Sequence, residues 1–223
     1  MGLLITFEGT DCSGKETQTN LIIEKLKADG YKVAKFSYPN YESPTGKIIA
    51  GPYLAKFGEG YFPEGASNVP AMVASLYYSA DRLYNQSKVE KALAENDIVI
   101  LDRYSFSNFA HQGSKIADTN ERNAFFEVLE KLEFNLLELK KPDHVFFLHM
   151  PTKNAVELRK SRTEKADQHE SDLRHLEQSE QTYLDLCKKY NFIYIPCTKD
   201  GLTRSIYEIN EEVYAKLKSL LNH

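Results

Sequence analysis

An apolar run that turns on one glycine and leaves through a second glycine and a lysine constrains this chain more than any other feature. Leu3-Leu4-Ile5-Thr6-Phe7-Glu8 leads into Gly9-Thr10-Asp11-Cys12-Ser13-Gly14-Lys15-Glu16-Thr17. The spacing Gly9-x4-Gly14-Lys15 is that of a loop whose backbone N–H groups wrap a phosphate at a helix N-terminus. The glycines let the backbone fold close to the anion, and Lys15 has the reach for β- and γ-phosphates. A strand-like run before and a helical pattern after supply the context such a loop needs. Residues 9–17 are therefore expected to hold nucleotide phosphates. One position departs from the pattern: the Ser or Thr expected after the lysine is Glu16.

From there the chain alternates strand and helix. Leu3–Glu8 reads as a strand buried on both faces. The helix from Gly14 carries Leu21, Ile22 and Leu26 on one side and stops at Asp29-Gly30. Lys32–Tyr38 is a second strand, ended by Pro39. Thr45–Tyr53 predicts a short helix, Ala71–Asn85 and Val89–Ala94 two more, and Asp97–Asp102 a third buried strand. A helix over Glu121–Lys140, a strand over His144–His149, and helices over Asn154–Ser161 and Ser171–Lys189 follow, the last two separated by a charged segment. Phe192–Pro196 is a fifth strand and Ser205–Leu221 a final amphipathic helix. This alternation predicts a three-layer α/β fold, a five-stranded and mostly parallel sheet with helices on both faces. Ligands of such sheets sit at the carboxyl ends of the strands, where Gly9–Lys15, Pro39 and Asp102 would gather.

The 223 residues suit one domain spanning 1–223. A net charge of −4 argues against a general binder of nucleic acid or anionic membrane. No apolar run approaches transmembrane length, and no signal-peptide pattern opens the chain. Cys12, Cys187 and Cys197 form neither a C-x-x-C pair nor a metal spacing, so a reduced cytoplasmic setting is expected.

Asp102-Arg103-Tyr104 is the second constellation. An acid that ends an apolar strand beside a phosphate loop can hold Mg²⁺ through a water, and the neighbouring Arg103 offers a planar fork for a second phosphate. Taken alone, the pair would also serve as a surface ion pair at a strand end.

Together these residues resemble the thymidylate kinases, within the P-loop nucleoside monophosphate kinases, over about Leu3 to Pro196. Glu8-Gly9-Thr10-Asp11-x-x-Gly14-Lys15-x-Thr17-Gln18 is similar to that family's phosphate loop, Tyr38-Pro39 to its Phe-Pro, and Tyr78-Ser79-Ala80-x-Arg82 to its aromatic-Ser-Ala-x-Arg helix. The resemblance implies a P-loop NTPase-type fold, ATP as donor with Mg²⁺, and dTMP as acceptor. It implies Asp11 on the sugar 3′-hydroxyl, Tyr78 stacked on thymine, Arg82 on a thymine carbonyl, Arg103 on the acceptor phosphate, and Ser107, Asn108 and Gln112 around the base. Residues 159–175 resemble a lid that closes over ATP. A basic residue stands at position 12 in one branch of the family; here it is Cys12, so a lid arginine, Arg162 before Arg159, is expected to supply that charge. Lys15, Arg103, Asp102 and Arg162 form the expected catalytic set.

Three positions depart from the family pattern. Tyr41 stands where an arginine often grips the acceptor phosphate, and offers a hydroxyl instead. His111 stands where Tyr or Phe usually meets the sugar, which leaves deoxyribose selectivity open. Glu16 replaces a hydroxyl that normally coordinates Mg²⁺; it is expected to associate with that ion beside Asp102, the other arrangement being a side chain turned away along the first helical turn with Thr17 alone on the phosphate. The sequence thus predicts transfer of the ATP γ-phosphoryl group to dTMP by a homodimer, as family members commonly are. Other readings are a kinase for another deoxynucleotide or a deoxynucleoside, and a slow nucleotide-binding regulator. An Asn-Lys-x-Asp base-reading motif is absent, which disfavours a guanine switch.

Overall fold

The computed structural model describes residues 2–56, 58, 60–159 and 172–221. Strand β1 (Leu3–Gly9) is followed by α1 (Lys15–Ala28), β2 (Val33–Ser37), α2 (Pro44–Ile48), α3 (Ala71–Glu95), β3 (Ile98–Asp102), α4 (Ser105–Gly113) and α5 (Thr119–Glu130). Then come β4 (His144–His149), α6 (Thr152–Arg159), α7 (Leu173–Lys189), β5 (Ile193–Pro196), a hairpin of β6 (Thr198–Lys199) and β7 (Leu202–Thr203), and α8 (Ile206–Leu221). π-Helical turns extend α2 over Ile49–Tyr53 and α5 over Lys131–Leu136.

The main sheet has five strands in the order β2-β3-β1-β4-β5, every pairing parallel. Period-2 alternation assigns each central strand's side chains to two cores. Ile5, Phe7, Ile98, Ile100, Phe146 and Leu148 pack with Ile22 and Leu26 of α1 and Val213 and Leu217 of α8. On the opposite face Leu4, Val99 and Leu101 meet Val89 and Leu93 of α3, while Val145 and Phe147 meet Phe109 of α4 and Tyr183 of α7. Phe7 and Phe146 stack at 5.1 Å across the β1–β4 pair. Because every residue of β1 after Leu3 is buried, the strand carries its loop on a rigid base.

The helices show the main differences from the sequence reading. The two helices expected over Ala71–Asn85 and Val89–Ala94 are one continuous helix of 25 residues, which runs on through Gln86–Lys88; Asn85, where the first was expected to end, bonds back to the Asp81 carbonyl. The helix expected over Glu121–Lys140 begins two residues earlier, where Asp118 caps the N–H groups of Asn120 and Glu121, and gives way to the π-helical turn at Lys131. Helix α4, absent from that reading, has a Ser-Phe-Ser-Asn-Phe-Ala-His sequence with little intrinsic helix preference. Burial of Phe106, Phe109 and Ala110 holds it helical.

Among the described residues no helix is long and apolar enough to cross a membrane.

Candidate active site

The phosphate loop joins β1 to α1. Gly9 passes so close to β4 that a Cβ would lie 2.5 Å from the Leu148 carbonyl oxygen. Gly14, at φ 75°, takes the left-handed turn into α1 that a side chain would resist. Thr10 Oγ1 donates to the Met150 carbonyl at 2.7 Å and accepts from its N–H at 2.8 Å, so this hydroxyl ties the loop to the end of β4. Lys15 Nζ lies over the loop, donating to the carbonyls of Gly9 (2.9 Å) and Thr10 (2.8 Å) and to Ser13 Oγ (3.3 Å). Burial is the main reason its pKa is pushed down to about 8.

Across the loop stands the corner after β3. Arg103 adopts a left-handed backbone, φ 64°, and its N–H donates to the Phe7 carbonyl. Glu8, fully buried at the end of β1, steadies that corner by accepting from the Tyr104 N–H at 3.0 Å and from Ser107 Oγ. Burial raises its pKa, and the Ser107 bond, the Arg103 charge and the Tyr104 N–H act against the rise. The Arg103 guanidinium donates to Asp11 Oδ1 at 2.7 Å, and at 3.3 Å to Ser107 Oγ, Tyr183 Oη and the Gly9 carbonyl. Asp102 lies 4.0 Å from Lys35 Nζ.

A cavity of about 580 Å³ opens above the carboxyl ends of β1, β2 and β3. Of the nine loop residues, Asp11, Cys12, Gly14, Lys15, Glu16 and Thr17 line it, with Gly9, Thr10 and Ser13 behind. Asp102 and every residue expected to bind the acceptor line it as well: Asp11, Tyr41, Tyr78, Arg82, Arg103, Ser107, Asn108, His111 and Gln112. Arg162 lies outside the described residues.

The far wall is built by α3 and α4. Tyr78 packs edge-on against Tyr53. Arg82, four residues on and 2% exposed, gives Nε to Glu133 Oε2 at 3.0 Å and Nη2 to Glu133 Oε1. Asp81 turns the other way and accepts from the Asn40 N–H, Ser43 Oγ and Thr45 Oγ1, all within 2.8 Å. That carboxylate fastens to α3 the loop that follows the cis Tyr38–Pro39 bond and carries Tyr41. His111 is tied to α7, with Nδ1 3.3 Å from His175 Nε2 and 3.4 Å from Ser179 Oγ. Among the described residues, no group of three or more His, Cys, Asp or Glu side chains is gathered as for a metal ion.

The family model described as thymidylate kinase matches residues 7–205, which take in the loop, the corner and both walls of the cavity. The chain belongs to the thymidylate kinase family. It is 33% identical over 221 residues to the thymidylate kinase of Thermosipho africanus, covering 98% of this chain and 97% of that one. It is 29% identical over 220 residues to the probable thymidylate kinase of Methanocaldococcus jannaschii, with the same coverage. It is 30% identical over 222 residues to the thymidylate kinase of a Sulfurihydrogenibium species, covering 98% of each chain.

Within this thymidylate kinase site, sequence reasoning missed four residues. Glu133 and Tyr183 come from helices far along the chain, and no spacing marks them. Asp81 stood inside the Tyr78–Arg82 motif as an unassigned position. Lys56 is the fourth: its Nζ sits 4.4 Å from the centre of the Tyr41 ring, both line the cavity, and it makes no ion pair among the described residues. A lysine after a Gly- and Pro-bearing turn was a visible signal, but only the fold returns it to Tyr41.

Proposed function

We propose that this chain transfers the γ-phosphoryl group of ATP to the 5′-phosphate of dTMP, giving dTDP and ADP. Membership of the thymidylate kinase family supports the reaction class. The observation that carries the acceptor assignment is one cavity with the phosphate loop at one end and the Tyr78–Arg82–Asn108 wall at the other. The attacking atom is an acceptor phosphate oxygen, already anionic near neutral pH because the second phosphate pKa is about 6, so no side-chain base is needed. It forms the new P–O bond as the bond to the ADP oxygen breaks, and catalysis reduces to alignment and charge neutralisation.

The bonds of Lys15 and Arg103 support their parts in this reading. Lys15 exchanges loop carbonyls for β- and γ-phosphate oxygens, which keeps its ammonium protonated. Arg103 turns its fork toward the acceptor phosphate, and Asp11 is the proposed acceptor of the sugar 3′-hydroxyl. Lys56, above Tyr41, adds a second cation on the acceptor side. Arg162 is the proposed lid cation, with Arg159 in reserve. Asp102 and Glu16 suit Mg²⁺, a hard ion that enters such sites on the substrate phosphates with one or two carboxylates and several waters. Mg²⁺ would supply charge neutralisation between the phosphates. The cysteine usage supports a cytoplasmic setting.

A homodimer belongs to the same reading. Val73, Leu76, Ala80 and Leu83 recur on the outer side of α3 at three- and four-residue intervals, with Tyr84 beside them, and all five are exposed. That is the seam pattern of paired helices.

A coupled assay over nucleosides and mononucleotides tests the assignment. dTMP is expected to be the best acceptor and dUMP weaker, since one methyl in an apolar pocket contributes about 1–3 kcal/mol. Thymidine or a purine nucleotide outperforming dTMP would overturn it.

A further inference from the structure

Glu133 lies at the bottom of the far wall, in the π-helical turn of Lys131–Leu136, with no exposed surface. Its carboxylate gathers donors from two helices. Oε1 accepts from Ser79 Oγ at 2.9 Å, from Asn108 Nδ2 at 3.1 Å and from Arg82 Nη2, and Oε2 accepts from Arg82 Nε at 3.0 Å. Glu133 does not line the cavity, whereas Arg82 and Asn108 do.

This arrangement removes an ambiguity that an asparagine usually carries. Asn108 Nδ2 has two acceptors in reach, Glu133 Oε1 and the Ser75 carbonyl at 3.5 Å. An amide oxygen turned toward either would be repelled, so the nitrogen must face them. Oδ1 is then directed elsewhere, and it is buried without a hydrogen-bond partner among the described residues, as are both side-chain amide atoms of Gln112. Buried polar groups are almost always bonded, so unpartnered ones beside a cavity call for a ligand. Arg82 is fixed in the same way. Nε and Nη2 are engaged, and Nη1 has no bond among the described residues.

We infer that Glu133 is the positioning residue that sets the hydrogen-bond polarity of the base site, making Asn108 present an acceptor and Arg82 a donor. The inference rests on the acceptor-site reading above. A donor beside an acceptor matches a pyrimidine with a ring carbonyl next to a ring N–H, as in thymine and uracil. Cytosine offers the reverse, an amino group next to a bare ring nitrogen, and meets like against like on both bonds. The acid is needed in place of its amide. In Glu133→Gln either the new amide nitrogen faces Arg82 Nε, donor against donor, or it faces Asn108, which then flips and shows its own NH₂ to the base.

The experiment compares kcat/KM for dTMP, dUMP and dCMP in the wild type and Glu133→Gln, with the KM for ATP and the melting temperature as controls. In a folded Glu133→Gln enzyme with unchanged ATP saturation, the dUMP-to-dCMP preference should fall at least tenfold. A fall of less than tenfold overturns the inference, because a purely structural ion pair would lower stability without changing which base is chosen. If Glu133→Gln does not fold, Asn108→Ala decides on the same criterion, since it removes the acceptor and keeps the Arg82–Glu133 pair. A wild type inactive on dTMP and dUMP would remove the acceptor assignment and this inference with it. An active wild type with an unchanged ratio in the variant removes the inference alone.

Discussion

Arg103 holds a left-handed backbone that costs a non-glycine residue about 1–2 kcal/mol. Glu8 and the Phe7 carbonyl offset that cost and leave the guanidinium facing both Asp11 and the cavity. A charged hydrogen bond to phosphate contributes roughly 1.5–3 kcal/mol, so Arg103→Ala should raise the dTMP KM ten- to a hundredfold with little change for ATP. Steady-state kinetics checks this, and normal dTMP saturation would remove Arg103 from the acceptor site. Lys56→Ala should raise the same constant only severalfold, because an exposed ammonium is screened by solvent. The His111–His175 contact gives a prediction of another kind. Burial is the main cause that holds His111 well below its ordinary value and His175 down to about 4. The unfolded chain protonates both near 6.5, so between pH 6.5 and 4 it binds more protons than the folded one. Stability should therefore fall as pH falls through that window, by up to about 3 kcal/mol for His175 alone. Thermal melts against pH should show the slope, and His175→Phe should flatten it. Asp102 and Arg103 were legible beforehand because they close an apolar strand. Glu133 was not, since 51 residues separate it from Arg82 and one acid in a charged helix looks like any other.

At the scale of elements, the loop between β1 and α1 was the most readable part, because glycine spacing encodes backbone conformation directly. The sheet was equally plain, since strands buried on both faces leave continuous apolar runs. Helix α4 left no such trace: it is buried nearly all round, so no polar stripe marks a period. The β6–β7 hairpin, two residues per strand, is too short to show alternation. The packing of β1 on β4 carries its own test. In Gly9→Ala the new Cβ would approach the Leu148 carbonyl to 2.5 Å, and two paired central strands cannot both yield. Overpacking of this kind costs about 1–3 kcal/mol, so the denaturant midpoint should drop and ATP binding weaken with it. An unchanged midpoint would mean that the strands part at no cost.

For the molecule as a whole, the two sides of α3 face different tasks. Ser79 and Arg82 serve the cavity, while Leu76 and Leu83 stand exposed on the other side. Sedimentation should show a dimer for the wild type and a monomer for Leu83→Glu, because a buried charge at a helix seam is not tolerated; a monomeric wild type would dismiss the seam. The central place of β1 has a consequence in time. The strand is synthesised well before its neighbours, which are β3, beginning at residue 98, and β4, whose Leu148 pairs with Gly9. About 140 residues must follow Gly9 before its partner exists, roughly 7–30 s at ordinary ribosomal rates. Until β3 follows, about 95 residues after Leu3, Leu3–Phe7 is an apolar segment with no strand to pair with, and its other edge stays uncovered until β4. The phosphate loop leaves the ribosome long before the strand that backs it, and a nascent chain halted before β3 should expose Leu3–Phe7 to chaperones rather than bind nucleotide.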